Sequence, residues 1–370
     1  MKQIYYDLIY LITCSVNNII PDRERIEKIN LDELYELSKY HSVGATINKA
    51  LEDAGIKDKR FIERYEKTTR NNILFNIERE KVLNEFEKNG IWYMPLKGCL
   101  IKDYYPKMGM RQMSDNDILF DMNYRSKVKD IMESLGYKIE EYEESNHDAY
   151  CKEPIYYFEL HTKLFEESLH KNYHDYYIDM KRIMKKDNNN KYGYHLSDED
   201  FYIYITTHEA KHYKTYGTGI RGLIDCYIIL KNKMNKLDWK YIKQELDKLG
   251  VTDYEKRRRK LAMKLFSKVK FPKLSEEEIK ILEYYMTSGT HGKYSNFVKG
   301  KLKNQSKISY ILSCVFISRE RMNAYLPFTA KSPLLYPLGV VIRFFKLMIL
   351  NNNYFKETLR TIIKYDKKKI

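Results

Sequence analysis

Ile4, Leu8, Leu11, Ile12 and Val16 recur at helical spacing, so the chain is expected to open on a helix with one apolar face. Asn30-Leu31-Asp32 starts another, carrying Leu34, Leu37 and Ser38. A break follows at His41-Ser42-Val43-Gly44, and the helical pattern resumes from Ala45 to Ala54. A long helix is expected from about Asp58 to Lys88, with Ile73, Leu74, Ile77, Val82, Leu83 and Phe86 as its buried stripe and Asn89-Gly90 as its stop.

Beyond Gly90 the pattern changes. A short apolar run ends at Lys97-Gly98, a helix is expected from Cys99 to Tyr105, and Ser114-Asp115-Asn116-Asp117 runs into Ile118-Leu119-Phe120 as a strand. Tyr124 to Leu135 reads as an amphipathic helix stopped by Gly136, and Tyr137 to Tyr142 as a strand. Pro154 to His161 is rich in aromatic and β-branched residues and predicts another strand. Asn188-Asn189-Asn190 marks a boundary. Helices are then expected from the cap at Ser197, from Asp238 to Lys268 and from Glu276 to Met286. Leu334 to Leu350 is the most apolar stretch of the tail, but Arg343 and Lys346 interrupt it and it is short for a bilayer span. A packed amphipathic helix is expected there in preference to a peripheral membrane contact.

With 370 residues the chain has material for more than one domain. The net charge of +15 favours phosphate-bearing partners, though the excess is diffuse and much of it is lysine. Cys14, Cys99, Cys151, Cys226 and Cys314 are scattered and form no C-x-x-C pair, which argues against a zinc ribbon and for a reducing, cytoplasmic setting. The N-terminal run superficially suggests a leader, but Asp7 breaks its apolar core, and a packed first helix is the better reading. The run Lys256 to Lys260 is expected to be a solvated helix face.

The chemistry concentrates in a few places. Side chains alternate along a strand, so Asp115 and Asp117 share a face while Asn116 takes the other. Two carboxylates so close repel, and a divalent cation with oxygen ligands relieves them. Glu159 and His161 share a face by the same rule, and a third acid beside the pair is what a two-metal phosphoryl-transfer centre needs. Gly98 permits close backbone approach to a ligand, with free amides at the start of the following helix. Separately, His208-Glu209-Ala210-Lys211-His212 is a literal H-E-x-x-H, the spacing of a zinc protease, with no convincing third ligand downstream; Glu245 and Asp225 are the nearest candidates.

The run Gly90-Ile91 to Leu96-Lys97-Gly98, with Leu100, Tyr105-Pro106, Arg111, Ser114-Asp115-x-Asp117-Ile118-Leu119 and Phe158-Glu159-Leu160-His161, resembles the bacterial uncharacterised nucleotidyltransferase family of the DNA polymerase β-like superfamily. The resemblance spans roughly residues 30 to 230. It implies a predominantly helical α+β chain in which a small mixed-sheet core, 85–190, is flanked by helical domains at 1–84 and 191–370. It also implies transfer of a nucleoside monophosphate from an NTP to an acceptor hydroxyl, RNA, protein or small molecule. Asp115, Asp117 and Glu159 would hold two Mg²⁺ ions about 3.5 to 4 Å apart, with Mn²⁺ as a substitute. Lys97, Gly98, Cys99, Arg111 and Ser114 would meet the nucleotide, with His161, His208, His212 and Asp225 as auxiliaries, Arg221 and Asp225 following the His-rich helix. Cys99 departs from the usual hydroxyl residue after the glycine, and Asn116 from the usual apolar residue between the acids. The alternatives are a scaffold of the same fold that has lost catalysis, and the zinc protease.

Overall fold

Helix α1 (Gln3–Asn17) forms where the apolar spacing places it, and all five residues of that stripe are buried in the computed structural model. The structure describes residues 1–290, 292–319, 322, 326, 328–329, 332–349 and 353–365. After the single-turn α2 (Arg23–Glu27), α3 (Leu31–Tyr40) starts at Asn30, whose Oδ1 accepts the Asp32 and Glu33 amides, each at 3.1 Å. Such a cap stabilises a helix start by about 1 kcal/mol. Helix α4 (Gly44–Asp53) follows the break at Ser42, which takes a left-handed φ of 54°.

Helix α5 (Lys59–Lys88) has the expected bounds, and Val82, Leu83 and Phe86 pack into the core as expected, but the middle of the stripe differs. Ile73 and Ile77 are 44% and 45% exposed, whereas Thr68, Asn72, Phe75, Glu78, Val82 and Phe86 are buried at steps of three and four. The buried stripe is partly polar because its neighbours are. Asn72 donates to the Arg111 carbonyl at 3.1 Å, and Glu78 accepts from Tyr137 Oη at 3.0 Å while pairing with Lys81 and Lys152. Looking only for apolar residues therefore misplaced the stripe between Ile73 and Ile77.

The sheet contains β1 (Tyr93–Pro95), β2 (Asn116–Phe120), β3 (Lys138–Glu141), β4 (His147–Lys152) and β5 (Tyr156–His161), in the order β1-β2-β5-β4-β3. Only β2 and β5 run parallel; the other pairings are antiparallel. Ile118, Phe120, Phe158 and Leu160 pack with Val82 and Phe86 of α5 and with Val128, Ile131 and Met132 of α7 (Arg125–Ser134). Because the side-chain period is two, covering that face fixes the other: Asp117, Leu119, Glu159 and His161 must all project from the opposite side. The short α6 (Gly98–Ile101) continues as a 3₁₀ turn over Lys102–Tyr104.

Helix α8 (Glu167–Tyr177) leads to the hairpin β6 (Met184–Lys186) and β7 (Tyr194–Leu196), with Asn188-Asn189-Asn190 in its loop. Helices α9 (Asp198–Thr215), α10 (Ile220–Lys233), α11 (Trp239–Leu249), α12 (Thr252–Phe266) and α13 (Glu276–Ser288) complete a predominantly helical α+β chain. Contacts divide it into two compact units, Met1–Ala210 with Gly219–Met286, and Lys211–Thr218 with Thr287–Ile370. The second unit includes helices Tyr294–Asn304, Lys307–Val315, Tyr336–Ile349 and Asn353–Lys364. Helix Tyr336–Ile349 packs through Val340 against Met322 and Leu326 and leaves Leu338, Val341 and Phe345 exposed. Leu350, the end of the apolar stretch read from sequence, lies outside the described residues. Among those residues no helix is long and apolar enough to cross a membrane.

The basic run on α12 is not a purely solvated face. Arg258 is 2% exposed and pairs with Glu209, while Arg259 pairs with Glu255 and stacks 4.4 Å over the Trp239 ring. Nearby, Glu278 meets Lys264 at 2.8 Å, Lys260 at 3.3 Å and the Ser275 amide at 2.9 Å. Burial pushes its carboxyl up, but these donors outweigh it and hold the pKa down to about 2. A depressed carboxyl stabilises the fold above its unfolded value and loses that contribution as pH falls through the folded one. Wild-type stability is thus expected to fall between about pH 4.5 and pH 2 by on the order of 2 kcal/mol more than in Glu278→Gln. Urea unfolding across that range checks it; parallel pH profiles would count against the pairing.

Candidate active site

The parallel register of β2 on β5 sets Asp117 opposite Glu159, Ile118 opposite Leu160 and Leu119 opposite His161. The two acids come from segments far apart in sequence and arrive side by side on the face turned away from α5 and α7. Ligand atoms of Asp117, Glu159 and His161 all lie within 4.8 Å of one another. Lys97 Nζ donates to Asp117 Oδ1 at 2.6 Å and stands 3.8 Å from Glu159. Its backbone holds φ 50° and ψ −120°, a conformation rare for a residue with a side chain, at the entry to α6.

Asp117 is 5% exposed, and burial alone would raise its pKa. Lys97 and His161 reverse that and hold the carboxyl well below the usual range, so it is ionised throughout neutral pH. His161 contributes through Nε2, 2.9 Å from Asp117 Oδ1, while its Nδ1 faces the Asn146 side-chain amide at 3.3 Å. With that amide donating, Nδ1 is the acceptor and Nε2 carries the proton given to Asp117. His161 thus orients Asp117 and spends its Nε2 on the carboxylate.

Asp115 lies immediately before β2 and is half-buried. Burial, then the charges of Asp117 and Glu159, push its pKa up to about 6, against the opposing pull of Lys97 and Arg221. Asn116 is fully buried on the other face, accepting from Arg79 at 3.0 Å and donating to the Phe75 carbonyl at 3.3 Å. It fastens β2 to α5, a structural reason for amide chemistry between the acids.

The residues read from sequence as nucleotide contacts separate. Ser114 is exposed. The Cys99 thiol is turned into the core against Phe75 and Met113 and donates to the Leu96 carbonyl at 2.8 Å, so only its backbone faces chemistry. Gly98 is close to Arg111: a Cβ there would fall 2.6 Å from Arg111 Nη1. Arg111 is held by Asp225 through Nε at 3.0 Å and Nη2 at 2.9 Å, and Tyr105 Oη donates to the same carboxylate at 2.7 Å. Arg111 is therefore a clamped cation whose charge Asp225 offsets. Arg221, one turn before Asp225 on α10, is lowered in pKa by burial and by Arg111, so it supplies the less compensated positive charge near Asp115.

The H-E-x-x-H segment does not assemble a zinc site. Glu209 is 8% exposed, pairs with Arg258 and accepts from Tyr285 Oη at 3.3 Å, so it is not free to activate water. Among the described residues the cluster suited to a metal is Asp117, Glu159 and His161. Asp225 serves Arg111.

Three neighbours of the acids escaped the sequence reading. His147 of β4 pairs in register with His161, ring centroids 5.2 Å apart, and Asn146 fixes the His161 tautomer. Tyr204 of α9 is fully buried, its hydroxyl has no partner among the described residues, and Lys97, Asp117 and Glu159 are near enough for their charges to act on it. It was hidden in the run Phe201 to Ile205, which reads only as core.

No curated protein and no solved structure matches the chain. A family model described as uncharacterised nucleotidyltransferase matches residues 27–267, which takes in the acids, Lys97, the Arg111–Asp225 clamp and Tyr204. The chain belongs to that uncharacterised nucleotidyltransferase family.

Proposed function

We propose that the centre on β2 and β5 moves a nucleoside monophosphate from an NTP to an acceptor hydroxyl. The acceptor oxygen bonds to the α-phosphorus, the bond from that phosphorus to the departing oxygen breaks, pyrophosphate leaves and the hydroxyl proton passes to water. The observation that carries this reading is the parallel register that puts Asp117 beside Glu159 in a member of this family.

The donor set suits a hard cation. Asp115, Asp117 and Glu159 offer carboxylate oxygens, and His161 has its Nε2 engaged with Asp117, so Mg²⁺, with Mn²⁺ as a substitute, fits better than zinc. Two such ions would be held by the three acids and would supply Lewis-acid activation of the acceptor hydroxyl and charge compensation at the departing pyrophosphate. The chain's own groups prepare the centre. Lys97 keeps Asp117 ionised and stands 3.8 Å from Glu159, His161 aims Asp117, and Asn116 with Arg79 fixes the strand that carries it. Arg221 offers positive charge on the Asp115 side for phosphate oxygens.

Titration with Mn²⁺, followed by paramagnetic resonance with and without a non-hydrolysable NTP analogue, tests the metal assignment. Nucleotide-dependent binding that Asp117→Ala abolishes is expected. Equal binding by wild type and variant would overturn it.

A further inference from the structure

Past the acids, beyond the C-terminal ends of β2 and β5, the first unit contains a cavity of about 450 Å³. Leu119, two residues beyond Asp117, is in its wall, and so is Thr162, which follows His161. Phe165, Tyr177 and Ile178 give it an aromatic and aliphatic lining. The volume falls in the range of small-molecule sites.

One wall residue is chemically unfinished. His174 is 4% exposed; its Nδ1 meets Asp175 Oδ1 at 3.2 Å, while Nε2 is buried with no hydrogen-bond partner among the described residues. A carboxylate can only accept, so Nδ1 carries the proton toward Asp175 and Nε2 presents a lone pair. Leaving such a group unpaired is costly, and a ligand O–H would recover the loss. The charged groups of the wall, Asp121 and Asp179 against Lys163 and Lys181, cancel, so no net positive field draws a polyanion.

We propose that this cavity binds a compact, ring-bearing alcohol whose hydroxyl donates to His174 Nε2. Resting on the transferase reading, this molecule is the acceptor, placed beyond the ends of the two strands that carry the acids.

Binding is measured first without nucleotide or metal, by ligand-observed NMR with 2-naphthol and with naphthalene, which lacks the hydroxyl. Wild type is expected to hold 2-naphthol at least about tenfold more tightly, a difference of about 1.4 kcal/mol. His174→Phe should erase that preference while leaving ring binding. Ile178→Trp, at a position 67% exposed and so tolerant of bulk, should block both probes. Equal wild-type affinities, or 2-naphthol binding indifferent to Ile178→Trp, would overturn the site. The acceptor clause is read separately, from cell extract supplied with α-labelled NTP and Mg²⁺. Label in a low-molecular-weight product that Ile178→Trp suppresses supports it, and label on RNA or protein overturns it. No label in any fraction removes the transferase reading and the acceptor clause together, whereas the binding result stands or falls by itself.

Discussion

Asp115→Asn and Asp117→Asn are both expected to reduce transfer by on the order of 10³-fold while shifting stability in opposite directions. Asp117 is a stabilising anion, because Lys97 at 2.6 Å and His161 at 2.9 Å reward its charge more than burial penalises it. Neutralising it leaves a largely buried ammonium short of a partner, and losing a hydrogen bond between charged groups costs about 1.5–3 kcal/mol. Asp115 is the reverse case. Its pKa is raised to about 6, so its contribution is fully present below the unfolded value near 4 and is lost as pH rises to about 6. At pH 7 the ionised carboxylate works against the fold by on the order of 2 kcal/mol, and asparagine relieves it. Urea unfolding at pH 7 should therefore rank Asp115→Asn above wild type and Asp117→Asn below it. A shared direction would mean that the two carboxylates do not occupy the environments described.

Glu159→Gln is the second large effect, and it should separate turnover from binding. Glu159 comes from β5, whereas the aspartate pair belongs to β2 and its approach. With that pair intact, NTP is expected to bind within about threefold of wild type while turnover drops by on the order of 10²- to 10³-fold, the signature of an interaction needed in the transition state. Calorimetric NTP affinity beside single-turnover rates decides it. If affinity weakens as much as turnover, Glu159 belongs to the triphosphate side instead.

Much of this site was legible from period two alone. Alternation put Asp115 with Asp117 on one face and Glu159 with His161 on one face, whereas the pairing of β5 with β2, in parallel register, is seen only in the structure. The Asn30, Asp58 and Ser197 helix starts were equally plain, because caps act within one turn. What escaped depends on long-range partners. The polar residues of the α5 stripe are buried only because Arg111, Tyr137 and Lys152 meet them there, and no local pattern announces that. Arg258 looked solvated within a basic run until Glu209, 49 positions earlier, was placed beside it. The same pairing silenced the H-E-x-x-H motif, whose spacing is correct but whose glutamate is already engaged. Cys99 illustrates a subtler miss: the departure from a hydroxyl at that position reflects a side chain packed into the core against Phe75 and Met113.

Nucleotidyl transfer differs from other phosphoryl chemistry in which phosphorus reaches the product. Incubating the protein with Mg²⁺, cell extract and NTP labelled at either the α- or the γ-phosphorus reads that distinction directly. The α-label is expected to become attached to an acceptor and the γ-label to appear only in pyrophosphate, and neither is expected with Asp117→Asn. Attachment of the γ-label, or α-labelling that persists undiminished in Asp117→Asn, would contradict it.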